Sequence, residues 1–476
     1  MHPLTNEIGK FIPSDRVRVT RYDPLVRTPF FRSVQVPDEI RNLEPFTIIQ
    51  TASADEISKV LKLANIRKLP VYVRQGMGVI SPDVTRPEPP GSLILDLSKM
   101  HWINPNFDRH HVEVGPAVSE WDLNKALHPE GYGYPELIGP VTWCGSLVSL
   151  NSSGRSVDPY IGKPRNYVLG MEVVLPTGEI VETGSESLRR VCGFDLGQLV
   201  IGGQCMFGVI TNLRLQLLKS PKDICGALVH FDSLASLGKA VSSIYKNHAP
   251  YPQVLEILNR SYLEAMEFEG KISEAVLMMA TDGWAPGEAQ WKQEQLIKHM
   301  QSEGCIDVEI QSSEDWAKLL LFREAGLSKL SPKGLVMLTG EVMDYPIDKL
   351  SIVLPAMRKL QLELMETYPG IDTYIIGHIG AGSFHPTVVA PVEWGYRKLH
   401  EVVKDCRKKI LAFKLEHGAT IGEQGIFPEH IGWYQGTYDD VHWKSMQLVK
   451  GALDPNGILN PIRYSHMQEA NALPQE

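Results

Sequence analysis

Apolar and polar residues along this chain follow two rhythms, one suited to strands and one to helices. Short apolar runs at 46–50, 69–74, 92–97, 111–115 and 168–175 are bounded by turn residues and have the length of buried strands. After the first run, Ile57, Val60, Leu61 and Ala64 recur at helical spacing behind Ser53 and Glu56, a capping box that opens a helix. Residues 120–127 read as a second helix, and Pro176-Thr177-Gly178 supplies the turn that ends the 168–175 strand. From about residue 222 the texture changes to strands such as 276–280 and 335–340, alternating with long helical patterns over 350–368 and 396–417. The basic run 404–409 reads as a solvated helix face, and the Arg- and Pro-rich stretch 1–44 as an irregular arm packed on the first domain.

Length and charge narrow the field. A chain of 476 residues is too long for one core, so two to four domains are expected. A net charge of −9, with no basic stretch longer than the short helix face at 404–409, argues against nucleic acid as a partner. No apolar stretch reaches the length of a membrane span, and the N-terminal residues lack the pattern of a signal region, which predicts a cytoplasmic protein. The six cysteines lie far apart with no C-x-x-C, so they frame neither an iron–sulfur centre nor a structural zinc site, and read as small buried hydrophobes.

Three stretches carry candidate chemistry. The segment Gly145 to Gly154 alternates small and polar residues with little bulk, so a backbone could approach a large ligand there; a plain Gly/Ser-rich surface loop accounts for it equally well. Gly76-Met77-Gly78 follows a strand, where a phosphate-cradling turn would sit. It lacks the third glycine and the helix of a dinucleotide fingerprint, and a simple turn is the commoner meaning of such a pair. His378 and His385 flank a glycine-rich turn, with Glu423 further on. Two imidazoles and a carboxylate can make an open three-ligand metal site, although spacing alone favours two ordinary loop histidines and a surface glutamate.

The succession Gly145…Asn151…Gly154, 166–178 and 193–211 resembles the FAD-binding segment of the vanillyl-alcohol-oxidase superfamily. Within it, the chain is most similar to the flavoprotein subunits of glycolate oxidase and the D-2-hydroxy-acid dehydrogenases. The end, Asp454-Pro-Asn-Gly-Ile-Leu-Asn-Pro461, resembles the family's terminal motif, so the likeness covers nearly the whole chain. It implies an α+β fold: a two-subdomain FAD-binding domain over 45–220 behind the arm 1–44, an antiparallel-sheet cap domain over 221–440, and a segment 441–476 that returns to the FAD domain. It implies FAD held by Arg74, Gly76, Gly78, Pro140, Gly145, Ser146, Asn151, Gly154, Gly208, Val209, Ile210 and Asn460. No His or Cys lies over 74–83, where some relatives anchor flavin covalently, so non-covalent FAD is expected.

For the cap, the resemblance places His378, His385 and Glu423 on the ligand positions of a divalent metal, for which imidazole and carboxylate favour Zn, Mn or Fe. Arg323 matches an arginine that grips the substrate carboxylate, although a single arginine on a helix is as often a surface ion pair, here with Glu324 or a neighbour. The implied activity is oxidation of a small 2-hydroxy acid such as D-lactate or glycolate by hydride transfer to flavin N5. An iron–sulfur protein or electron-transfer flavoprotein would then accept the electrons.

Departures from the family pattern bear on that activity. Ala381 and Ser383 replace the usual Asp and Asn, Gln204 and Cys205 replace a Glu-Gly pair, and Gln424 stands where the family has its proton-accepting His. Glutamine accepts no proton at neutral pH, so His417 or His430 is the expected substitute base. The alternative is a flavin subunit of a multi-subunit electron-transfer complex, with a different substrate or a mainly relay role and a place at a membrane through its partner. A homo-oligomer is compatible with either. A phenol- or alcohol-oxidising relative is disfavoured, because those proteins lack the two-histidine loop.

Overall fold

The computed structural model describes residues 3–20, 45–74, 91–134, 143–152, 154–155, 162–187, 193–247, 249–325, 329–340, 342–419 and 438–461. Three sheets organise them. The first contains β1 (Val17–Thr20), β2 (Phe46–Gln50), β3 (Val71–Arg74) and β4 (Leu93–Asp96) in the order β1-β2-β4-β3. The last three strands are parallel and β1 is antiparallel. The second sheet is antiparallel, ordered β5-β6-β9-β7-β8 from β5 (Ile103–Asn106), β6 (His111–Val114), β7 (Val168–Val174), β8 (Ile180–Gly184) and β9 (Val209–Gln216).

The third sheet comprises β10 (Asp223–Phe231), β11 (Val254–Asn259), β12 (Ala275–Gly283), β13 (Asp307–Ile310), β14 (Leu335–Gly340), β15 (Met343–Asp344), β16 (Asp372–Gly377) and β17 (Ser383–Pro391). Its order is β13-β10-β12-β11-β16-β17-β14, with β15 pairing β17 beyond β14, and every pairing is antiparallel.

The helix Ala54–Arg67 forms as its pattern predicts. Ser53 accepts from the Glu56 N–H, Lys68 ends the helix in a left-handed conformation, and Ile57, Val60, Leu61 and Ala64 are buried against the first sheet. The N-terminal stretch departs from the irregular arm expected of it. Residues Pro3–Ile8 form a helix whose Leu4 and Ile8 enter the same core, and β1 pairs with β2 along its whole length. Alternation in β1 is too short to register as a strand from its pattern alone; pairing with the edge of β2 decides it.

The third sheet is apolar on both faces. Ala227, Val229, Ile257, Leu277, Ile375 and Phe384 face one core, shared with helices Leu234–Lys246, Leu350–Thr367 and Gly395–His417. Leu228, Leu258, Val276, Met278, Tyr374 and Ile376 face the other, shared with Arg260–Ala265 and Ser313–Ala325. Among the described residues no helix is long and apolar enough to cross a membrane.

After helix Asp440–Leu453 the chain joins the first sheet, where Leu459 bridges Val71. Lys450 is buried there. Its Nζ donates to Asp454 Oδ2 at 2.6 Å, to the Met206 carbonyl at 2.7 Å and to the Leu459 carbonyl at 2.9 Å. Asp454 also accepts the backbone N–H groups of Ile458 and Leu459, so the buried pair is fully hydrogen-bonded.

Candidate active site

Ser146 lies in a buried helix, Cys144–Leu150, not in a surface loop: small residues that leave room for a ligand also let a short helix pack closely. Its hydroxyl is buried without a hydrogen-bond partner among the described residues. An orphaned buried hydroxyl carries a desolvation cost that a bound polar ligand would relieve. Gly145, its neighbour in the same helix, is buried too. Asn151 ends that helix in a left-handed conformation and accepts the Arg165 N–H. Gly154 is buried close by.

Arg74, at the end of β3, donates to Asp96 at the end of parallel β4 at 2.6 Å in a buried pair. Asn460 closes the same region. Its N–H bonds the Val71 carbonyl at 2.8 Å, and its side chain donates to the Gln204 carbonyl at 2.6 Å. Gln204 and Cys205 both adopt positive φ, 52° and 56°, at the turn before β9. Gly208 packs its bare Cα against Val173, and the side chains of Val209 and Ile210 are wholly buried in hydrophobic cores. Any contact those two residues make with a ligand is therefore through backbone. Gly76, Gly78 and Pro140 lie outside the described residues.

The second cluster sits on one face of the third sheet. Glu256 occupies the middle of β11, where its neighbours Leu255 and Ile257 face the opposite core, so its carboxylate points the other way. It is completely buried and meets two partners: Arg323 Nε donates to Oε2 at 2.8 Å, and His378 Nδ1 lies 2.5 Å from Oε1. Burial alone would raise its pKa, but the positive charges of His378 and Arg323, with their hydrogen bonds, hold it down at about 2. Arg323, carried by helix Ser313–Ala325, thus uses its Nε in a buried contact with another element.

The His378 and His385 rings meet edge to face, with centroids 5.2 Å apart. Burial, together with the neighbouring charges of His378 and Arg323, pushes His385 well below the ordinary histidine value, so it stands as a neutral imidazole. The turn between them depends on its glycines. Gly377 has φ of 143°, and a Cβ there would lie 2.7 Å from Phe384 Cα and 2.9 Å from the His385 ring. Gly382 has φ of 78°, and a Cβ would lie 2.3 Å from the Tyr345 carbonyl oxygen. The Tyr245 hydroxyl bonds the Gly380 carbonyl and fixes the turn from outside.

His378 has the form of a metal ligand backed by a carboxylate, and His385 is uncharged as a ligand must be. The described residues contain no group of three metal-binding side chains; Glu423, Gln424 and His430 lie outside them. His417, expected as a substitute base, stands at the end of helix Gly395–His417, its Nδ1 on the Phe413 carbonyl and its ring stacked on Phe413 at 4.0 Å. Among the described residues its hydrogen bond and ring contact are both with its own helix. Glu256 escaped the sequence reading, although a lone acid inside the apolar run Val254–Asn259 was its visible signal.

Comparison with known proteins agrees with this geometry. Residues 45–184 match the model of an FAD binding domain, and residues 220–464 match that of the C-terminal domain of FAD linked oxidases. The chain is 26% identical to a D-lactate dehydrogenase of Archaeoglobus fulgidus, over 96% of this chain and 97% of the relative. It is 27% identical to the glycolate oxidase subunit GlcD of Bacillus subtilis, over 88% of each. Among solved structures, the fold is similar to that of 4-ethylphenol oxidase from Gulosibacter chungangensis, with a TM-score of 0.74 at 16% identity, covering 96% of this chain and 95% of that one. p-Cresol methylhydroxylase gives 0.71 at 15% identity, covering 96% and 95%. Since the match over residues 220–464 takes in more than half of its length, the chain belongs to the FAD linked oxidases and is an FAD-linked oxidoreductase.

Proposed function

We propose that the protein oxidises a small 2-hydroxy acid, of the D-lactate or glycolate kind, and passes the electrons to another protein. The observation that carries this reading is the buried Glu256 carboxylate, shared by Arg323 and His378 with His385 against them. That arrangement holds a guanidinium and two imidazoles in fixed orientation on one face of the cap sheet, which suits recognition of an anion bearing a neighbouring hydroxyl. The names of the relatives, D-lactate dehydrogenase and glycolate oxidase subunit, support the same substrate class.

In this reading residues 45–220 and 441–476 form the flavin half and 221–440 the cap. The flavin half binds FAD without a covalent bond and supplies the hydride acceptor. Arg323 holds the substrate carboxylate, and its bond to Glu256 keeps the guanidinium plane from turning. His378 and His385, with Glu423, hold a divalent Zn, Mn or Fe that would polarise the substrate oxygen. Glu256, accepting from Nδ1, would fix the neutral His378 tautomer whose Nε2 is then available to hold such an ion. No C-x-x-C in the sequence offers an iron–sulfur relay, so the onward carrier belongs to a partner such as an iron–sulfur protein or electron-transfer flavoprotein.

The deciding experiment is an anaerobic screen of flavin reduction across small 2-hydroxy acids, with metal analysis of the same sample. Bleaching by one of them, with about one metal ion per chain, supports the reading. A flavin reduced by none of them, alone or with a partner present, overturns it. Bleaching that requires the partner favours the second reading, a flavin subunit working mainly as a relay, for which Gln424 in place of a base is the motivating residue.

A further inference from the structure

Oxidation of a hydroxy acid needs a group to take the hydroxyl proton, and Gln424 cannot. The cap sheet offers another group at the right place. In β15, Asp344 pairs with Ser383 of β17, while Met343 beside it pairs with Phe384. Met343 and Phe384 both enter the core on the far side of the sheet, so Asp344 and Ser383 project from the face that carries Glu256 and the histidines. His385 follows Ser383 by two positions and shares that face, which makes Asp344 and His385 diagonal neighbours about 7–8 Å apart along the strand pair. That spacing leaves room for one substrate oxygen between an imidazole and a carboxylate.

The surroundings of Asp344 mark it as part of the cleft and not of the outer surface. It is half-buried, and burial raises its pKa above the ordinary aspartate value. A hydrogen bond from Ser383 and, more weakly, the charges of Lys163, Lys414 and His378 act against that rise. Lys163 precedes the short helix that leads into β7 of the flavin half, so Asp344 looks across at the flavin side of the molecule. Lys414 is buried at 2% exposure, and its charge reaches both Asp344 and His385.

We propose that Asp344 is the catalytic base that accepts the substrate hydroxyl proton. The inference rests on the 2-hydroxy-acid reading above. In the step, the O–H bond breaks and its proton passes to an Asp344 oxygen, while the C2–H bond breaks and its electron pair leaves as hydride. C2 and oxygen become a carbonyl, the acid is oxidised to the 2-oxo acid, and the family's FAD is the oxidant reduced by two electrons. An aspartate also suits a site in which the metal ligands already use both histidines of the turn.

The test uses the FAD-loaded full chain and D-lactate or glycolate, whichever reduces the wild-type flavin faster. Asp344→Asn is expected to slow flavin reduction about 100-fold or more, the usual weight of a positioned base. Asp344→Glu should recover part of that loss. Oxalate, which resembles the product and needs no proton acceptor, should still perturb the flavin spectrum of Asp344→Asn with a Kd within a few-fold of wild type. Retained oxalate binding with slow reduction separates a lost base from a collapsed pocket. Reduction of Asp344→Asn within three-fold of wild type overturns this assignment alone, as does a slow variant that has lost oxalate binding and is not improved by Asp344→Glu. A wild-type flavin that no 2-hydroxy acid reduces overturns the substrate reading, and the assignment with it.

Discussion

His378 and Glu256 are joined at 2.5 Å although they are 122 positions apart in sequence. The bond runs from a turn residue to the centre of a buried strand, so the strand sets the direction of the imidazole. Replacing the carboxylate by an amide keeps the shape and removes the negative charge that Arg323 and His378 share. Glu256→Gln should therefore weaken divalent-metal binding about 10–100-fold, the usual effect of losing an outer-shell partner. It should lower unfolding stability by about 3 kcal/mol, since Arg323 is left facing a neutral group. Metal titration followed by chelator competition, and urea unfolding of the metal-free protein, read the two effects separately.

His385→Ala tests the other imidazole. It should abolish reduction of the flavin by substrate and lower metal affinity steeply, while the flavin stays bound because the FAD binding domain spans residues 45–184, well away from it in sequence. A variant that keeps wild-type reduction rates would remove His385 from the site.

The orphaned Ser146 hydroxyl yields a prediction with opposite signs in two states. Ser146→Ala should weaken FAD binding by roughly 1 kcal/mol, about five-fold, by removing one hydrogen bond. The apoprotein should melt at the same temperature or slightly higher, because a buried unsatisfied hydroxyl has gone. Acid precipitation of the wild type should release FAD into the supernatant, and flavin that stays with the precipitate would refute non-covalent binding.

Asp96 sets a pH dependence. Burial acts to raise its pKa, but the Arg74 charge and hydrogen bonds from Arg74 and Ser98 outweigh that and leave it below the ordinary aspartate value. A carboxylate lowered in the folded state contributes stability that is complete above its unfolded pKa and is lost as pH falls through the folded one. Stability should accordingly decline with a contribution from Asp96 below about pH 4. Asp96→Asn should flatten that acid limb in a series of urea midpoints, and should cost about 3–5 kcal/mol at pH 7 by stranding Arg74.

Much of this was legible in the residues. The helix Ala54–Arg67 follows directly from its cap and spacing, because local interactions suffice to specify both. The two-histidine turn was visible as His378 and His385 with glycines around them, and Gly377 and Gly382 prove necessary to bring the rings together. What escaped was set by pairing between distant strands. Glu256 and Asp344 acquire meaning only when β11 and β15 take their places in the sheet, and nothing near them in sequence announces which residues they will face. Arg323 could be matched to a role but not to a partner, since its partner lies 67 positions away. His417 likewise could be matched to a role but not to its neighbour Phe413, on which its ring stacks.

The bridge between Val71 and Leu459 has a consequence for the making of the protein. A ribosome releases β3 early, yet the residues that lie along it, and the lysine that ties them to the Met206 carbonyl, emerge only over residues 450–460. The cap sheet is contiguous and can close by itself while the first sheet waits with an open edge. Newly made chains should thus pass through a stage in which the cap sheet is closed and the first sheet is not, and chains stopped at residue 450 should be held in that stage, captured by chaperones and readily cut by proteases within the first sheet.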